Sequence, residues 1–246
     1  MAITAVATIG LAGSASSSQS TLYVSARLAQ VECQTTFGIE GQRPIAMASS
    51  LVRKVPVALR NQLTVYSDGQ GIMRLLGPSG WDCVASISAD GTSTIDIYPN
   101  DEVNKSIDSF NSASGALPRN SPDQEIYGRQ TSACVGCALS QACPVFSAAA
   151  STIVSSQGIL CPTTTPAGET TISLSAHLKE IIDPPGTVGD NFPSGGANEA
   201  LGVMTFYQSS PSANGGSWME TCILPASRRT ICNATLNGFI ASYRFE

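Results

Sequence analysis

Charged residues are scarce in this chain, and histidine is nearly absent. Only 13% of the 246 residues are charged, against roughly 25% in an average soluble domain. Lysine and arginine number 13 and acidic residues 18, so the net charge is −5. The acidic balance and the scattered cations argue against nucleic-acid binding, which usually requires a basic face, and we expect no nucleic-acid partner. The one histidine, His177, would have to serve any Ser-His or Cys-His catalytic pair.

Long apolar runs are missing too. An apolar run covers residues 1–13, but it is shorter than the roughly 20 residues that cross a bilayer. Gly13-Ser14-Ala15 then supplies the small-residue pattern of a signal-peptidase site, although no Lys or Arg precedes Arg27. We therefore predict a signal peptide at residues 1–20 and no membrane span. An N-terminal strand or buried tail is the alternative.

Cysteine, by contrast, is plentiful and even in number. All eight cysteines follow the predicted cleavage site, which in an exported chain indicates up to four disulfide bonds. Two pairs are expected, one within a predicted strand–helix unit and one between the two N-terminal cysteines: Cys222 with Cys232, and Cys33 with Cys83. The other four are Cys134, Cys137, Cys143 and Cys161. This content predicts a secreted, extracellular protein, because disulfides persist in oxidising compartments.

The segment from Cys134 to Cys143 has several chemical interpretations. An iron–sulfur motif requires a cysteine where Ser140 stands, and a covalent haem requires a histidine where Ala138 stands. A zinc site could use all four clustered cysteines, but their spacing matches no zinc ribbon or finger. A thiol–disulfide exchange pair would place Cys134 at a helix N-terminus, yet no βαβ pattern surrounds it. We favour structural disulfides, and we predict no cofactor and no metal.

Short strand patterns alternate with helical regions. Apolar alternation and β-branched content predict seven strands: Leu63–Tyr66, Ile72–Leu76, Trp81–Ser88, Thr92–Tyr98, Thr171–Ile182, Gly202–Gln208 and Ser217–Leu224. Helical patterns cover Ala133–Ser156, with a second segment from Pro144, and Pro225–Arg244, and a short helix is expected at Val57–Asn61. This order predicts an α+β fold with a mainly antiparallel sheet and two principal helical regions, stabilised by disulfides. We expect a single domain over residues 21–246, and a division in the polar loop 100–122 is the alternative.

A series of segments, in order along the chain, carries a family resemblance. The most distinctive are Gly80-Trp-Asp-Cys83, Ala133-Cys-Val-Gly-Cys137, Asp183-Pro-Pro-Gly186 and Gly216-Ser-Trp-Met-Glu-Thr-Cys222. Together they resemble a group of uncharacterised secreted, cysteine-rich actinobacterial proteins of unknown function. The resemblance covers about Cys33 to Tyr243. It implies a bacterial, exported, disulfide-bonded protein, and it implies no catalytic residues.

Catalytic motifs are weak. The nucleophile-elbow pattern G-x-S-x-G is absent, and Ser217 is a weak candidate nucleophile that follows two glycines. On the predicted strand Thr171–Ile182, His177 shares a polar face with Ser175 and Lys179, which is typical of a solvated strand surface. Carboxylate catalysis needs two acids a few ångströms apart. Sequence spacing does not bring together any of the downstream acids: Glu180, Asp183, Asp190, Glu199 and Glu220.

We therefore expect a non-catalytic protein that binds an extracellular protein or a cell-envelope ligand. Mobile polar loops of such domains often carry recognition, so the candidate contacts are Asp183, Asp190, Asn191 and Trp218. The oxygens of the first three also suit Ca²⁺, although the EF-hand spacing is absent. Two alternatives stay open. One is a secreted hydrolase that uses His177, and the other is a protease inhibitor with a reactive loop at Cys143–Phe146.

Overall fold

The computed structural model of the chain describes residues 22–100, 124–131, 134–158, 160–161, 165–187, 196–208 and 215–242. The predicted signal peptide, the loop 100–122 beyond its first residue, Asp190 and Asn191 lie outside these residues. In the described part of the chain, no helix has both the length and the hydrophobicity needed to cross a membrane.

The described residues contain twelve strands and three α-helices. The strands are β1 Tyr23–Glu32, β2 Gln34–Phe37, β3 Ser50–Pro56, β4 Leu63–Ser67, β5 Arg74–Pro78, β6 Asp82–Ile87, β7 Ser93–Tyr98, β8 Glu125–Thr131, β9 Thr170–Ser173, β10 Leu178–Asp183, β11 Ala200–Gln208 and β12 Gly215–Ile223. The α-helices are α1 Val135–Ala142, α2 Ser147–Gln157 and α3 Arg229–Ser242. Two 3₁₀ turns, Val57–Leu59 and Ala226–Arg228, each follow a proline, whose fixed φ suits the first turn of a helix.

The strands form two sheets. The large sheet has eight strands in the order β2-β6-β7-β8-β12-β11-β10-β9, and the small sheet has four in the order β3-β1-β4-β5. Neighbouring strands are antiparallel except for β2 with β6 and β1 with β4. The fold is therefore α+β with a mainly antiparallel sheet, as predicted.

The large sheet carries a layer on each face. In β11, Leu201 and Val203 belong to the core shared with α3 and the small sheet, whereas Met204 and Phe206 belong to the core shared with α1 and α2. Side chains alternate between faces along a strand, so β11 has to be apolar on both sides. A sheet that is covered on both faces has this near-continuous apolar pattern.

The turn between β4 and β5 ties the small sheet to the large one. The buried carboxylate of Asp68 accepts hydrogen bonds from the backbone N–H groups of Gln70, Ile72 and Met73 at 2.9–3.0 Å. The hydroxyl of Ser93, on β7 of the large sheet, donates to the same carboxylate. The turn predicted between these strands is confirmed, and its aspartate also joins the two sheets.

Six of the seven predicted strands are confirmed, with their ends within about two residues of the prediction. The seventh, Thr171–Ile182, is wrong, because the segment folds back as the hairpin β9–β10. Its turn is closed by the backbone N–H groups of Leu174 and Ser175, which both donate to the carbonyl of Leu178. The helical region 133–156 is two helices, and the second begins at Ser147 and not at Pro144. Strands β1, β2, β3 and β8 were not predicted.

Four disulfide bonds use all eight cysteines. Both predicted pairs, Cys33–Cys83 and Cys222–Cys232, are confirmed, and the others are Cys134–Cys137 and Cys143–Cys161. The first ties the β1–β2 junction to β6, and the second ties β12 to α3. A four-cysteine zinc site needs free thiolates, which these bridges do not leave.

Candidate functional site

The predicted hydrolase residues do not form a reachable pair. His177 is exposed in the turn between β9 and β10, where its Nδ1 lies 3.1 Å from the carbonyl oxygen of Phe206. Ser217 lies on β12 with no exposed surface. A serine nucleophile must be open to its substrate, and a catalytic histidine must contact it. The geometry therefore gives no support to a hydrolase built on these two residues.

The predicted ligand contacts are largely inside the protein. Asp183, the last residue of β10, has no exposed surface. Trp218 is half-buried against the core, and its ring covers Gly216 so closely that a Cβ there would lie 2.5 Å from the ring. Neither side chain is free on the surface to receive a large ligand. Asp190 and Asn191 lie outside the described residues, so their role stays a prediction.

Buried acids cluster on the face of the large sheet that α3 covers. Glu180 and Glu220 stand in register on either side of Val203, and their side chains point to the same face. Burial raises the pKa of Glu180, and the neighbouring charges of Arg229 and Glu199 oppose each other there. Burial also raises the pKa of Glu220 well above its ordinary value, although Thr235 on α3 hydrogen-bonds to it. Both glutamates are at most 4% exposed, so a sugar cannot reach them.

The segment Cys143–Phe146 is a connection between helices. Phe146 is only 3% exposed and packs against Phe206 with 5.9 Å between the ring centroids. The ammonium of Lys179 donates to the carbonyl of Val145 at 2.6 Å and lies over the Phe146 ring. A protease-inhibitor loop must be extended and exposed. Here both ends of the segment, Cys143 and Phe146, are instead buried in the core shared with α1 and α2, and only the short link between them reaches the surface.

A basic surface lies at the edge of the small sheet. Five side chains on the outward face of the β1–β3 pair are exposed, and we call them the basic ribbon: Ser25, Arg27 and Ala29 of β1 with Val52 and Lys54 of β3. Residues 22–80 hold six Lys or Arg against three Asp or Glu, a net +3, so the rest of the chain carries −8. Nearby, burial and the charge of Arg74 lower the pKa of Arg53. The segment 22–80, which includes all four strands of the small sheet, therefore carries an excess of positive charge in an acidic protein.

A second polar site surrounds the Cys134–Cys137 disulfide. Cys134 is the N-cap of α1, and the backbone N–H of Cys137 donates to its sulfur at 3.1 Å. Asp90, in the turn between β6 and β7, lies with its Oδ2 3.5 Å from Cys137 Sγ. Both cysteines and Asp90 are partly exposed.

Metal-binding atoms also converge at this disulfide. The possible ligand atoms of Asp90, Cys134 and Cys137 lie within 4.8 Å of one another. The two sulfurs are bonded to each other, so they do not offer the thiolates that a metal needs. In the oxidised protein the group is therefore a disulfide beside a carboxylate.

Sequence reasoning singled out neither the ribbon nor Asp90. The sequence Ala89-Asp90-Gly91 is typical of a turn, but 47 positions separate Asp90 from Cys137, so the contact between them could not be predicted. Arg27 and Lys54 are brought together by the pairing of β1 with β3, which no local sequence pattern predicted. The uneven spread of Lys and Arg along the chain was the one signal available for the ribbon.

Comparison with protein-family models, with curated proteins and with solved structures found no match for this chain.

Proposed function

We propose that this is an exported protein that binds an anionic polymer of the cell envelope through the basic ribbon, a role that involves no catalysis by the ribbon. Four disulfides support export, because cystines persist in oxidising compartments outside the cytoplasm. The observation that carries the proposal is the exposed pair of cations on neighbouring strands, Arg27 and Lys54. Phosphate or carboxylate groups of a polymer are their natural counter-charges.

The ribbon's geometry supports an extended ligand. In the register, Arg27 faces Val52 and Lys54 faces Ser25, so the two cations are diagonal neighbours on one surface. Such diagonal pairs lie roughly 5–8 Å apart across antiparallel strands, a separation that consecutive charges of a polymer can match. The guanidinium of Arg27 donates to Ser50 Oγ at 3.2 Å, which holds the side chain along the ribbon. Val52, 53% exposed between them, offers apolar contact to the carbon atoms of the polymer.

The charge distribution supports one orientation of binding. Residues 22–80, which include the ribbon, carry the net charge of +3, and the remainder of the chain carries −8. A polyanion is attracted to the first and repelled by the second, so the field steers it to the ribbon. Strand β3 is the edge of the small sheet, so the polymer can run along the ribbon without meeting a further strand.

The test uses long-chain inorganic polyphosphate, with neutral dextran as the uncharged comparison. Wild-type protein is expected to bind polyphosphate and not dextran, with an affinity that falls steeply between about 50 and 200 mM salt. The double variant Arg27→Ser/Lys54→Ser is expected to bind about tenfold or more weakly and with a shallower salt dependence. Arg43→Ser removes an exposed cation from the loop between β2 and β3, off the ribbon, and is the matched control.

Two results would overturn the proposal. One is an absence of polyphosphate binding at low salt. The other is an equal loss of binding in Arg43→Ser and in the ribbon variant, because net charge alone would then explain the attraction. Thermal unfolding of each variant checks that the fold is retained, which is expected because all three side chains are exposed.

A further inference from the structure

We propose that the Cys134–Cys137 disulfide is a redox centre that exchanges with the dithiols of other extracellular proteins and oxidises them to disulfides. This activity is independent of polymer binding, since it uses a different part of the molecule. Three observations carry it: the exposure of the bridge, its place at the start of α1, and the carboxylate of Asp90 beside it.

Exposure separates this bridge from the other three. Both of its cysteines are partly exposed, whereas each of the others has at least one buried cysteine: Cys33, Cys143, and both Cys222 and Cys232. Thiol–disulfide exchange requires an attacking sulfur to reach the bridge along the S–S axis, so burial protects a bridge from it. Of the four, Cys134–Cys137 is the one with both cysteines partly exposed, so it is the most open to attack by a protein thiol.

The bridge also does the least to hold the fold together. It joins residues three positions apart within one turn at the start of α1, whereas the others span 10, 18 and 50 positions. A cross-link stabilises a protein mainly by restricting the unfolded chain, and short loops gain least. The protein can therefore open this bridge while the other three keep the fold.

The start of α1 is suited to a thiolate. Cys134 is the N-cap, and the N–H of Cys137 already donates to its sulfur at 3.1 Å. The free N–H groups and the dipole at a helix N-terminus favour negative charge. Negative charge on Cys134 is therefore stabilised in place, which makes this sulfur a good leaving group when the mixed disulfide with the client is resolved.

Asp90 is suited to handle the proton of Cys137. Its Oδ2 lies 3.5 Å from Cys137 Sγ, and a carboxylate there disfavours a second thiolate and accepts a proton from a thiol. The turn Ala89-Asp90-Gly91 presents it: the backbone N–H of Thr92 donates to Asp90 Oδ1 at 3.0 Å, which leaves Oδ2 directed at the sulfur. Asp90 thus acts as a proton relay for the second cysteine.

The exchange with a client dithiol takes place in two steps. A client thiolate attacks the sulfur of Cys134, the bond between Cys134 and Cys137 breaks, and Cys137 leaves as a thiolate and takes up a proton through Asp90. The second client thiol loses its proton and attacks the client sulfur of the mixed disulfide, which expels Cys134 as a thiolate. One client disulfide has formed, and two electrons have moved to Cys134 and Cys137. A small-molecule disulfide reoxidises them by the reverse exchange.

The first experiment titrates the four bridges in buffers of reduced and oxidised glutathione. After alkylation, peptide mass spectrometry measures each bridge separately. The Cys134–Cys137 bridge is expected to open while the other three stay closed. Once reduced, Cys134 is expected to react with iodoacetamide faster than glutathione does at neutral pH, because the helix start stabilises its thiolate. Reduction of Cys134–Cys137 only together with the other bridges would overturn the proposal.

The second experiment follows oxidation of a reduced, unfolded client such as ribonuclease with glutathione disulfide as the terminal oxidant. Wild-type protein is expected to accelerate it and Cys134→Ser to give the background rate. Cys137→Ser, in which no Cys134–Cys137 bridge can form, is likewise expected to give the background rate. Asp90→Asn is expected to slow turnover by about tenfold and to change its pH profile. Asp82→Asn, at the other end of the β6–β7 hairpin, is the matched control.

Each variant in the client-oxidation experiment tests a separate part of the proposal. A Cys134→Ser variant that accelerates client oxidation as well as wild type does would contradict the proposal, provided that its unfolding temperature shows an intact fold. An Asp90→Asn variant with an unchanged rate and pH profile would contradict the role of Asp90 as a proton relay, but it would not contradict the disulfide exchange itself. The ribbon variant Arg27→Ser/Lys54→Ser is expected to retain full oxidation activity, so failure of the polymer proposal and failure of this one are distinguishable.

Discussion

The carboxyl groups of Asp183 and Glu169 lie side by side and interact through a shared proton. Asp183 ends β10 with no exposed surface, and Glu169 directly precedes β9, so the hairpin brings the two acids together. Asp183 is buried and Glu169 partly exposed, and such neighbouring carboxyl groups share a proton, because both cannot be ionised at low cost. Burial, the charge of Glu169 and the shared hydrogen bond raise the pKa of Asp183 to about 7. Burial raises the pKa of Glu169 as well.

This pair makes the protein more stable in mild acid than at neutral pH. The pKa of Asp183 rises from 3.8 to about 7 on folding, so folding favours the protonated form. The stabilisation is complete below the unfolded value of 3.8 and is lost as the pH rises through about 7. The raised pKa values of Glu180 and Glu220 act in the same direction. The free energy of unfolding in urea, measured across this pH range, is expected to fall by about 1–3 kcal/mol.

Asp183→Asn tests the assignment, because asparagine is neutral at every pH. The variant is expected to lose most of the decrease in stability between acidic and neutral pH. Asp82→Asn changes an exposed carboxyl group and is expected to leave the pH dependence as it is in the wild type. A wild-type stability that rises with pH over the same interval would contradict the shared-proton arrangement.

Contact between the two sheets depends on the absence of a side chain at Gly128. A Cβ at this position of β8 would lie 2.7 Å from Leu75 Cδ1 and 3.1 Å from Met73 Sδ. Gly128→Ala is therefore expected to lower the free energy of unfolding by about 1–3 kcal/mol, the usual cost of an overpacked core. In the double variant with Leu75→Val, the removed methylene leaves room, so the combined loss should be smaller than the sum of the single losses.

The matched cycle uses Gly41→Ala, where a Cβ would have no neighbour within 4 Å. At Gly41 the cost arises from its φ of +85°, so it should be additive with Leu75→Val. Additive losses for Gly128→Ala and Leu75→Val would show that the small sheet can shift away without strain, and the close approach would not be a determinant of the fold.

Local turn chemistry explains which strands could be predicted. The hairpin β6–β7 carries an Asp-Gly turn between apolar strands, so its strand ends follow from neighbouring residues. The hairpin β9–β10 turns at residues 174–177, Leu-Ser-Ala-His, which contain neither glycine nor proline. The alternation of apolar and polar side chains continues through this turn, so the two-residue period alone predicted one long strand.

Long-range pairing explains what could not be predicted. β1 pairs with β3 and then with β4, and β2 pairs in parallel with β6, so these strands depend on partners distant in the sequence. The same holds for the site around Cys134: its cysteine spacing was visible, and a helix does begin at Val135 within the region predicted to be helical. Asp90 reaches it only because β6 and β7 place their turn beside α1. Burial of Asp183 likewise depends on the β9–β10 hairpin.

The four disulfides should differ in their contribution to stability in the order of the loops that they close. In the chain-entropy description, removal of Cys33–Cys83 costs about 4 kcal/mol, removal of Cys222–Cys232 about 3 kcal/mol, and removal of Cys134–Cys137 about 2 kcal/mol or less. Paired alanine variants, unfolded in urea under identical conditions, measure each value.

The order matters for the redox proposal. Cys33 and Cys222 are buried, so alanine at these positions also removes packing and adds to the loss of stability, whereas the partly exposed Cys134 and Cys137 have less packing to lose. A Cys134→Ala/Cys137→Ala variant that unfolds as readily as the Cys33→Ala/Cys83→Ala variant would mean that the fold requires this bridge. A protein that cycles the bridge between open and closed forms has to remain folded in both, and a small cost of removal is the condition for that.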